Sequence, residues 1–484
     1  MSFNVLYEKW IPISDGSMYS LCECLEQAHE LERISCPSPL ETYAVHRFLC
    51  TFVMDALQLP NKKARMELLR QGRFDMAVFD AYIKQCEAEG TSFDLFDEKR
   101  PFMQAGYDSE QDEEPKSVAV MLLAAPSGTN HIFLDHRMEG MHRLCNDEFL
   151  RNLLTLYTFC PAGGSGYPKS VNGTPCLYMT VLGDTLFDTI VKNSISQKEA
   201  GNLHYGKPCW RDMAKRVIKE ESASCGLLEG MTWQPRRITA VEAGSGGISQ
   251  VYYTSGRMRP TSLLWRDPHV AYVADKDNHR PLLPQSGRAL WRDLGAIVAT
   301  RETGTGKRPL VIETLKDECI RNKVVLTGLI TDGNAKLFEI VHEEVIIPNE
   351  VLKKPECGEE FYYALDFVEK VYRALIDEAV ASKLAKKNKK GKTHVKEAVM
   401  DAINSFLASV RDYLLEQYAG SIIRCETDEA FVQQREALFT SIRSRLEQMF
   451  DRLVLRMGFD AQKIVVMSVF KKHVMKRYAK ERKG

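Results

Sequence analysis

Tyr157-Thr158-Phe159-Cys160-Pro161-Ala162-Gly163-Gly164-Ser165-Gly166-Tyr167-Pro168-Lys169-Ser170-Val171-Asn172-Gly173-Thr174-Pro175 is the stretch around which the rest of the chain is organised. Three glycines stand between Pro161 and Pro168, which excludes both a continuing helix and a central strand, so the segment is an irregular loop. An apolar helical pattern precedes it (Phe149, Leu150, Leu153, Leu154, Leu156, Tyr157). A strand-like run follows it, Cys176-Leu177-Tyr178-Met179-Thr180-Val181-Leu182. With no Cβ at Gly163 and Gly164, and only a small side chain at Ser165, another backbone can come close here. Lys169 adds a cation just past Gly166.

Farther along, the apolar runs Val324–Ile330 and Lys336–Val341 flank Thr331-Asp332-Gly333-Asn334-Ala335. Asp-Gly between apolar runs signals a hairpin, which places Asn334 and Ala335 at or beside a stiff, exposed tip. Such a tip can be driven between base pairs from the minor groove, at about a few kcal/mol per unstacked step. A second hairpin is written in Ile238–Val241 and Ile248–Tyr253 around Gly244-Ser245-Gly246-Gly247. It leads to two loop cations, Arg257 and Arg259, either of which could reach a phosphate or base.

Residues 126–146 interleave His131, His136, Arg137, His142 and Arg143 with Phe133, Met138 and Met141. Basic groups among apolar ones can hold phosphates while docking a loop on a partner. The histidines follow no metal-ligand spacing. Arg301–Arg308 imitates a phosphate-binding loop, but its first glycine is misplaced and Arg308 stands where a hydroxyl residue is needed.

At the N-terminus Asn4–Tyr7 reads as a short strand, and Leu40–Leu57 as a helix with one broad apolar face. Glu110–Lys116 reads as a solvated acidic loop. After Pro355 the period becomes helical, in four runs: Phe361 to Ala379, Val395 to Tyr418, Phe431 to Leu453, and Ile464 to Tyr478. Gly391 and Gly458 mark helix ends, Thr393 and Asp460 helix starts. The expectation is an α+β chain: a large mixed N-terminal domain, residues 1–355, then a C-terminal antiparallel four-helix bundle, residues 356–484. The bundle carries the clearest charge bias. Residues 383–396 hold seven lysines and no acid, and residues 471–483 hold seven Lys or Arg against Glu481 as the one acid. Lys386, Lys387, Lys472 and Lys476 thus form a candidate basic surface.

Lys+Arg and Asp+Glu both number 65, so nucleic-acid binding would rest on local patches and not on net charge. Thirteen cysteines include no Cys-x-x-Cys pair, which fits reduced thiols in a cytosol. There is no apolar run of the ~20 residues a bilayer span needs and no signal-peptide pattern, so a cytoplasmic protein without membrane contact is expected.

Four short segments stand in a telling order: Trp10-Ile11-Pro12, Pro101-Phe102-Met103-Gln104, Ser127-Gly128-Thr129-Asn130, and the glycine-rich loop ending Gly173-Thr174-Pro175. In that order they resemble the CasA family, the large subunit of the type I-E CRISPR surveillance complex, Cascade. The resemblance implies that residues 126–146 are a long loop near the RNA 5′ handle. Asn130, Phe133, Arg137 and Arg143 would then touch RNA or the complex, Phe133 at the family's aromatic. It also implies a basic finger at Arg257 or Arg259, where family members present a lysine. Asn334-Ala335 would match the family's Gln-Ala wedge, with an amide one methylene shorter. The bundle would dock small-subunit partners and guide the displaced strand. Some relatives carry a mid-chain cysteine cluster; residues 241–248 here have neither cysteine nor histidine, so no structural zinc is expected.

The function so implied is a non-catalytic subunit without cofactor. It would read the protospacer-adjacent motif (PAM) of target double-stranded DNA through the minor groove, start strand separation and help recruit the helicase–nuclease. Guide RNA and the other Cascade subunits would be its remaining partners, with guide pairing supplying sequence specificity. Two alternatives stay open. A metal-dependent nuclease would need clustered carboxylates and histidines, and there is no adjacent doublet in the order His-Asp and no Gly-x-Ser-x-Gly elbow in a strand–turn–helix setting. The other is a helical scaffold with a basic tail.

Overall fold

The computed structural model describes the chain except residues 1, 111, 113, 124–142, 162–165, 202, 213–224, 242–246, 259–264, 276–277, 299–305, 316–320, 334–336, 388–392, 458–460 and 483–484. It divides into two compact units. The first comprises Met1–Leu290, Arg308–Leu315 and Lys323–Val345; the second comprises Trp291–Lys307, Lys316–Asn322 and Ile346–Gly484. No single cut in the chain reproduces this partition, because two inner segments belong to the second unit.

In the first unit the spine is helix α1 (Pro39–Leu57). Ser38 caps it by accepting from the Leu40 amide at 3.2 Å, and Pro39 fills the first position, where a missing N–H costs nothing. Where one apolar face was expected, α1 is buried on nearly every side, and His46, Arg47, Thr51 and Asp55 lie inside with the aliphatic residues. Helix α2 (Asn146–Phe159) packs on α1 and stops before Pro161. Leu40, Tyr43, Phe159, Tyr178 and Leu329 form one buried cluster joining helices and sheet. Fully burying each such side chain is worth about 1.5–3 kcal/mol.

Two three-stranded sheets position the loops. Strands β1 (Lys116–Ser117), β3 (Arg236–Val241) and β4 (Gln250–Ser255) form one, in the order β1-β4-β3. The expected β3–β4 hairpin is present, with Ile238 opposite Tyr253. Strands β2 (Leu177–Leu182), β5 (Arg321–Thr331) and β6 (Leu337–Pro348) form the other, in the order β6-β5-β2. The expected hairpin is β5–β6. Antiparallel pairing sets Gly328 of β5 opposite Leu177 of β2. The start of β2, just past the glycine-rich loop, therefore lies beside the half of β5 that leads to the hairpin tip.

Two N-terminal expectations are corrected. Asn4 makes only an isolated bridge to Asp94, and its side chain accepts from the Leu6 amide at 2.9 Å, so Asn4–Tyr7 curls into an Asx turn in place of a strand. Asp112, within the acidic run, is buried and ion-paired to Arg237 at 2.9 Å, because a carboxylate out of water needs a partner. Trp10 is an anchor: fully buried, it donates from its indole to the Val5 carbonyl at 2.9 Å.

The second unit holds the bundle: α3 (Pro355–Ala381), α4 (Glu397–Asp412), α5 (Asp428–Met457) and α6 (Ala461–Glu481). α3 packs on α6 and α4 on α5, and α5 and α6 run antiparallel, Lys471 meeting Asp451 and Tyr478 meeting Phe439. Phe361, Leu375, Ile403, Phe406, Leu438, Leu446, Phe470 and Val474 fill the core, while Ile464 is 40% exposed in the first turn of α6. The lysine-rich connection departs from expectation. Strands β7 (Ala385–Lys387) and β8 (Thr393–Val395) pair antiparallel, with Ala385 opposite Val395. Thr393 is thus a strand residue, and α3 ends well before Gly391.

The twelve described cysteines are free thiols. Among the described residues no helix is long and apolar enough to cross a membrane, and no group of three His, Cys, Asp or Glu residues could hold a metal ion.

Candidate nucleic-acid interface

The glycine-rich loop is held at both ends. Arg236, buried at the start of β3, donates to the carbonyl of Pro161 at 2.9 Å and to that of Pro168, bracketing residues 162–167. Its Nε donates to the Tyr253 hydroxyl at 2.8 Å, and its guanidinium lies 5.2 Å from the Tyr167 ring centre. Tyr167 stacks on Tyr253 with ring centres 5.9 Å apart. The exposed Lys116 sets its ammonium 5.9 and 5.8 Å from the same two rings.

Past Pro168 the chain turns tightly. Ser170 and Gly173 pair across the turn, and Gly173 has φ +84°, a conformation glycine adopts freely. Asn172 donates to Asp267 at 2.8 Å, and Asp267 pairs with Arg47 of α1 at 2.9 Å. Burial pushes the Asp267 carboxyl up, but Arg47, His269 and the hydrogen bond from Asn172 together hold it below its ordinary value. The loop exit is thereby fastened to the spine of the unit.

Lys169 carries the decisive contact. Its Nζ donates to the Gly333 carbonyl at 2.8 Å, joining the loop to the turn between β5 and β6. Gly333 has φ +83°, and its amide is held by the Thr331 hydroxyl at 3.1 Å. Two segments that the sequence presents far apart are neighbours, as the β2–β5 register requires.

Comparison with known proteins places the chain. A family model for the CRISPR-associated protein Cse1 matches residues 4–474. The chain belongs to the Cse1 family. The resemblance read from the sequence is met. The CasA/Cse1 protein of Thermus thermophilus is 28% identical over 399 residues, covering 77% of this chain and 76% of that protein. The solved structure of Thermus thermophilus CasA (Cse1) matches with a TM-score of 0.75 at 21% identity, over 99% of this chain and 100% of that one. Cse1 from Acidimicrobium ferrooxidans matches at 0.71 and 18% identity, over 100% of this chain and 99% of that one. A chain of a CRISPR RNA-guided surveillance complex matches at 0.74 and 18% identity, over 99% of each. These structures share the Cse1 fold.

Within that fold, the other residues singled out from the sequence fall as follows. Gly163, Gly164, Ser165, Arg259, Asn334, Ala335, Asn130, Phe133 and Arg137 lie outside the described residues. Arg143 is exposed beside Leu144, which exchanges backbone hydrogen bonds with Ile248 at 2.9 and 2.8 Å. Arg257 is not a projecting finger in this structure. It is buried, ion-paired to Glu229 and stacked 4.2 Å from the Trp233 ring centre. Lys386 and Lys387 have their backbones in β7. On α6, Lys472 and Lys476 are exposed, whereas Lys471 and Arg477, and Arg482 just past the helix, pair with Asp451, Asp377 and Glu436 at 3.2, 2.9 and 2.5 Å.

Sequence reasoning missed Arg236, Lys116, Tyr167 and Tyr253. A signal existed for two of them: in the expected β3–β4 hairpin, strand alternation puts Arg236 on the face of Ile238, whose cross-strand partner is Tyr253.

Proposed function

We propose that this chain is the non-catalytic large subunit of a type I-E surveillance complex. In that role it reads the PAM of target double-stranded DNA through the minor groove and begins strand separation there. The observation that carries the reading is the Lys169–Gly333 hydrogen bond, which brings a glycine-rich loop and a hairpin turn to one place. Membership of the Cse1 family and the likeness to a chain of an RNA-guided surveillance complex support it. In the proposed mechanism, Gly163 and Gly164 admit the DNA backbone close to protein amides, and Lys169 adds positive charge. The tip at Asn334-Ala335 is pushed into the first base step, with unstacking offset by wider contact. The minor groove distinguishes A·T from G·C and little else, so several PAMs are tolerated. Guide RNA pairing supplies the sequence specificity, and the opened complex recruits a helicase–nuclease in the cytoplasm. Arg143 and the neighbouring loop contact the RNA or the complex. Lys386, Lys387, Lys472 and Lys476 line the path of the displaced strand.

A gel shift tests this, comparing PAM-bearing and PAM-free duplexes with the assembled complex in the presence and absence of this subunit. PAM preference that appears only with the subunit is the expected result. Metal-dependent cleavage by the lone chain would favour a nuclease, and no effect on either duplex would favour a scaffold.

A further inference from the structure

We propose that Arg236 is a positioning residue for the glycine-rich loop: a buried staple that sets the separation of the loop's two ends before any duplex arrives. The inference rests on the reading of that loop as a DNA-contacting element. Arg236 reaches four acceptors, the carbonyls of Pro161, Pro168 and Pro235 and the hydroxyl of Tyr253. Only a planar guanidinium with donors on several edges can serve them together; a lysine ammonium is a compact point donor. Two of those carbonyls flank the six residues 162–167, so one side chain closes the loop across its base.

The geometry has a second layer. Tyr167, the last residue before Pro168, is stacked on Tyr253, and both rings lie within cation–π reach of Arg236 and Lys116. Arg236 itself is almost wholly buried, so its charge faces protein carbonyls and aromatic rings and is not available to a phosphate. Its role is therefore exerted through the loop. A loop whose ends are already fixed loses less conformational freedom on binding, which is the general route by which preorganisation raises affinity.

The test is Arg236→Lys, which keeps the charge and loses the fork. Hydrogen exchange on the free full-length chain reads the amides of residues 162–167 without any DNA. In R236K they exchange several-fold faster, while β3, β4 and α2 keep their protection. The assembled complex carrying R236K then binds a duplex library, randomised beside the protospacer, about tenfold more weakly. The spread between its best and worst sequences narrows as well. Should R236K lose protection throughout the unit, Tyr253→Phe carries the test: it removes one acceptor and keeps the ring, and it must speed exchange selectively in residues 162–167. Loop exchange unchanged in a folded R236K, or in Y253F if R236K is unfolded, overturns the staple. Faster loop exchange with unaltered duplex affinity overturns its link to duplex binding. If the wild-type complex itself shows no preference within the library, the reading of the loop fails while the exchange result still stands or falls by itself.

Discussion

Lys169 donates to the carbonyl of Gly333 across 2.8 Å, although the two residues are 164 positions apart in the chain. The bond couples the glycine-rich loop to the turn at the end of a stiff ribbon. The Lys169 ammonium carries three donors, and the Gly333 carbonyl takes one of them.

Lys169→Met cuts that coupling and preserves the aliphatic stem. A single partly buried hydrogen bond is worth about 1 kcal/mol net, so the melting temperature should move by only a few degrees. Duplex opening should fall by about tenfold in the equilibrium if roughly 1.4 kcal/mol of tip positioning is removed. A 2-aminopurine reporter at the first protospacer position, in the assembled complex, reads this directly. A large drop in stability with normal opening would make Lys169 a structural residue only.

Arg257→Ala should act on folding. Arg257 and Glu229 are both buried, and removing one partner of a buried pair leaves an uncompensated charge, at a cost of about 3–5 kcal/mol. The substitution also removes the cation from the face of the Trp233 ring. Urea denaturation should show the destabilisation, with Arg257→Lys intermediate. Normal stability combined with weakened duplex binding would restore Arg257 as a candidate finger.

Acid should weaken the fold through two histidines. Burial is the chief cause that lowers His46 to about 3 and His269 to about 4, both from 6.5. His269 is held neutral while its Nε2 meets the Asn193 carbonyl at 3.1 Å. Because the unfolded chain binds these protons and the fold does not, stability is complete above about pH 6.5 and falls as pH drops toward 4. The slope is at most about 1.4 kcal/mol per pH unit for each histidine. Urea titrations between pH 7.5 and 4.5 should show this decline, shallower by one proton in His269→Gln. Stability that rises on acidification would contradict the neutral assignment.

Lys472→Gln with Lys476→Gln should flatten the salt dependence of duplex binding. These two are exposed on α6, whereas Lys471, Arg477 and Arg482 already pair with acids of the bundle. Removing one lysine–phosphate interaction reduces the log–log slope by about 0.9, so the double variant should flatten it by about 1.8. Neutralising Arg477 instead should change the slope little. Equal effects from both would mean that the ion pairs open on binding.

The elements readable from sequence were those whose cause is local. Asp332-Gly333 between apolar runs marked the β5–β6 hairpin, and helical spacing from Phe361 to Tyr478 marked the bundle. Errors arose where a local alternative competed. The Asn4 side chain caps its own turn in place of a strand, and residues 385–387 and 393–395 pair as a ribbon where Thr393 suggested a helix start.

Sequence alone determined which residues could be turn, strand or helix, because periodicity, glycine and proline act over a few neighbouring positions. The tertiary structure decided which charges are spoken for. Arg257 found Glu229, Asp112 found Arg237, and Arg236 found Pro161 and Pro168, each across tens of residues or more. Such pairings follow from packing and desolvation, which select a partner by where the chain returns in space and leave no periodic mark in the sequence.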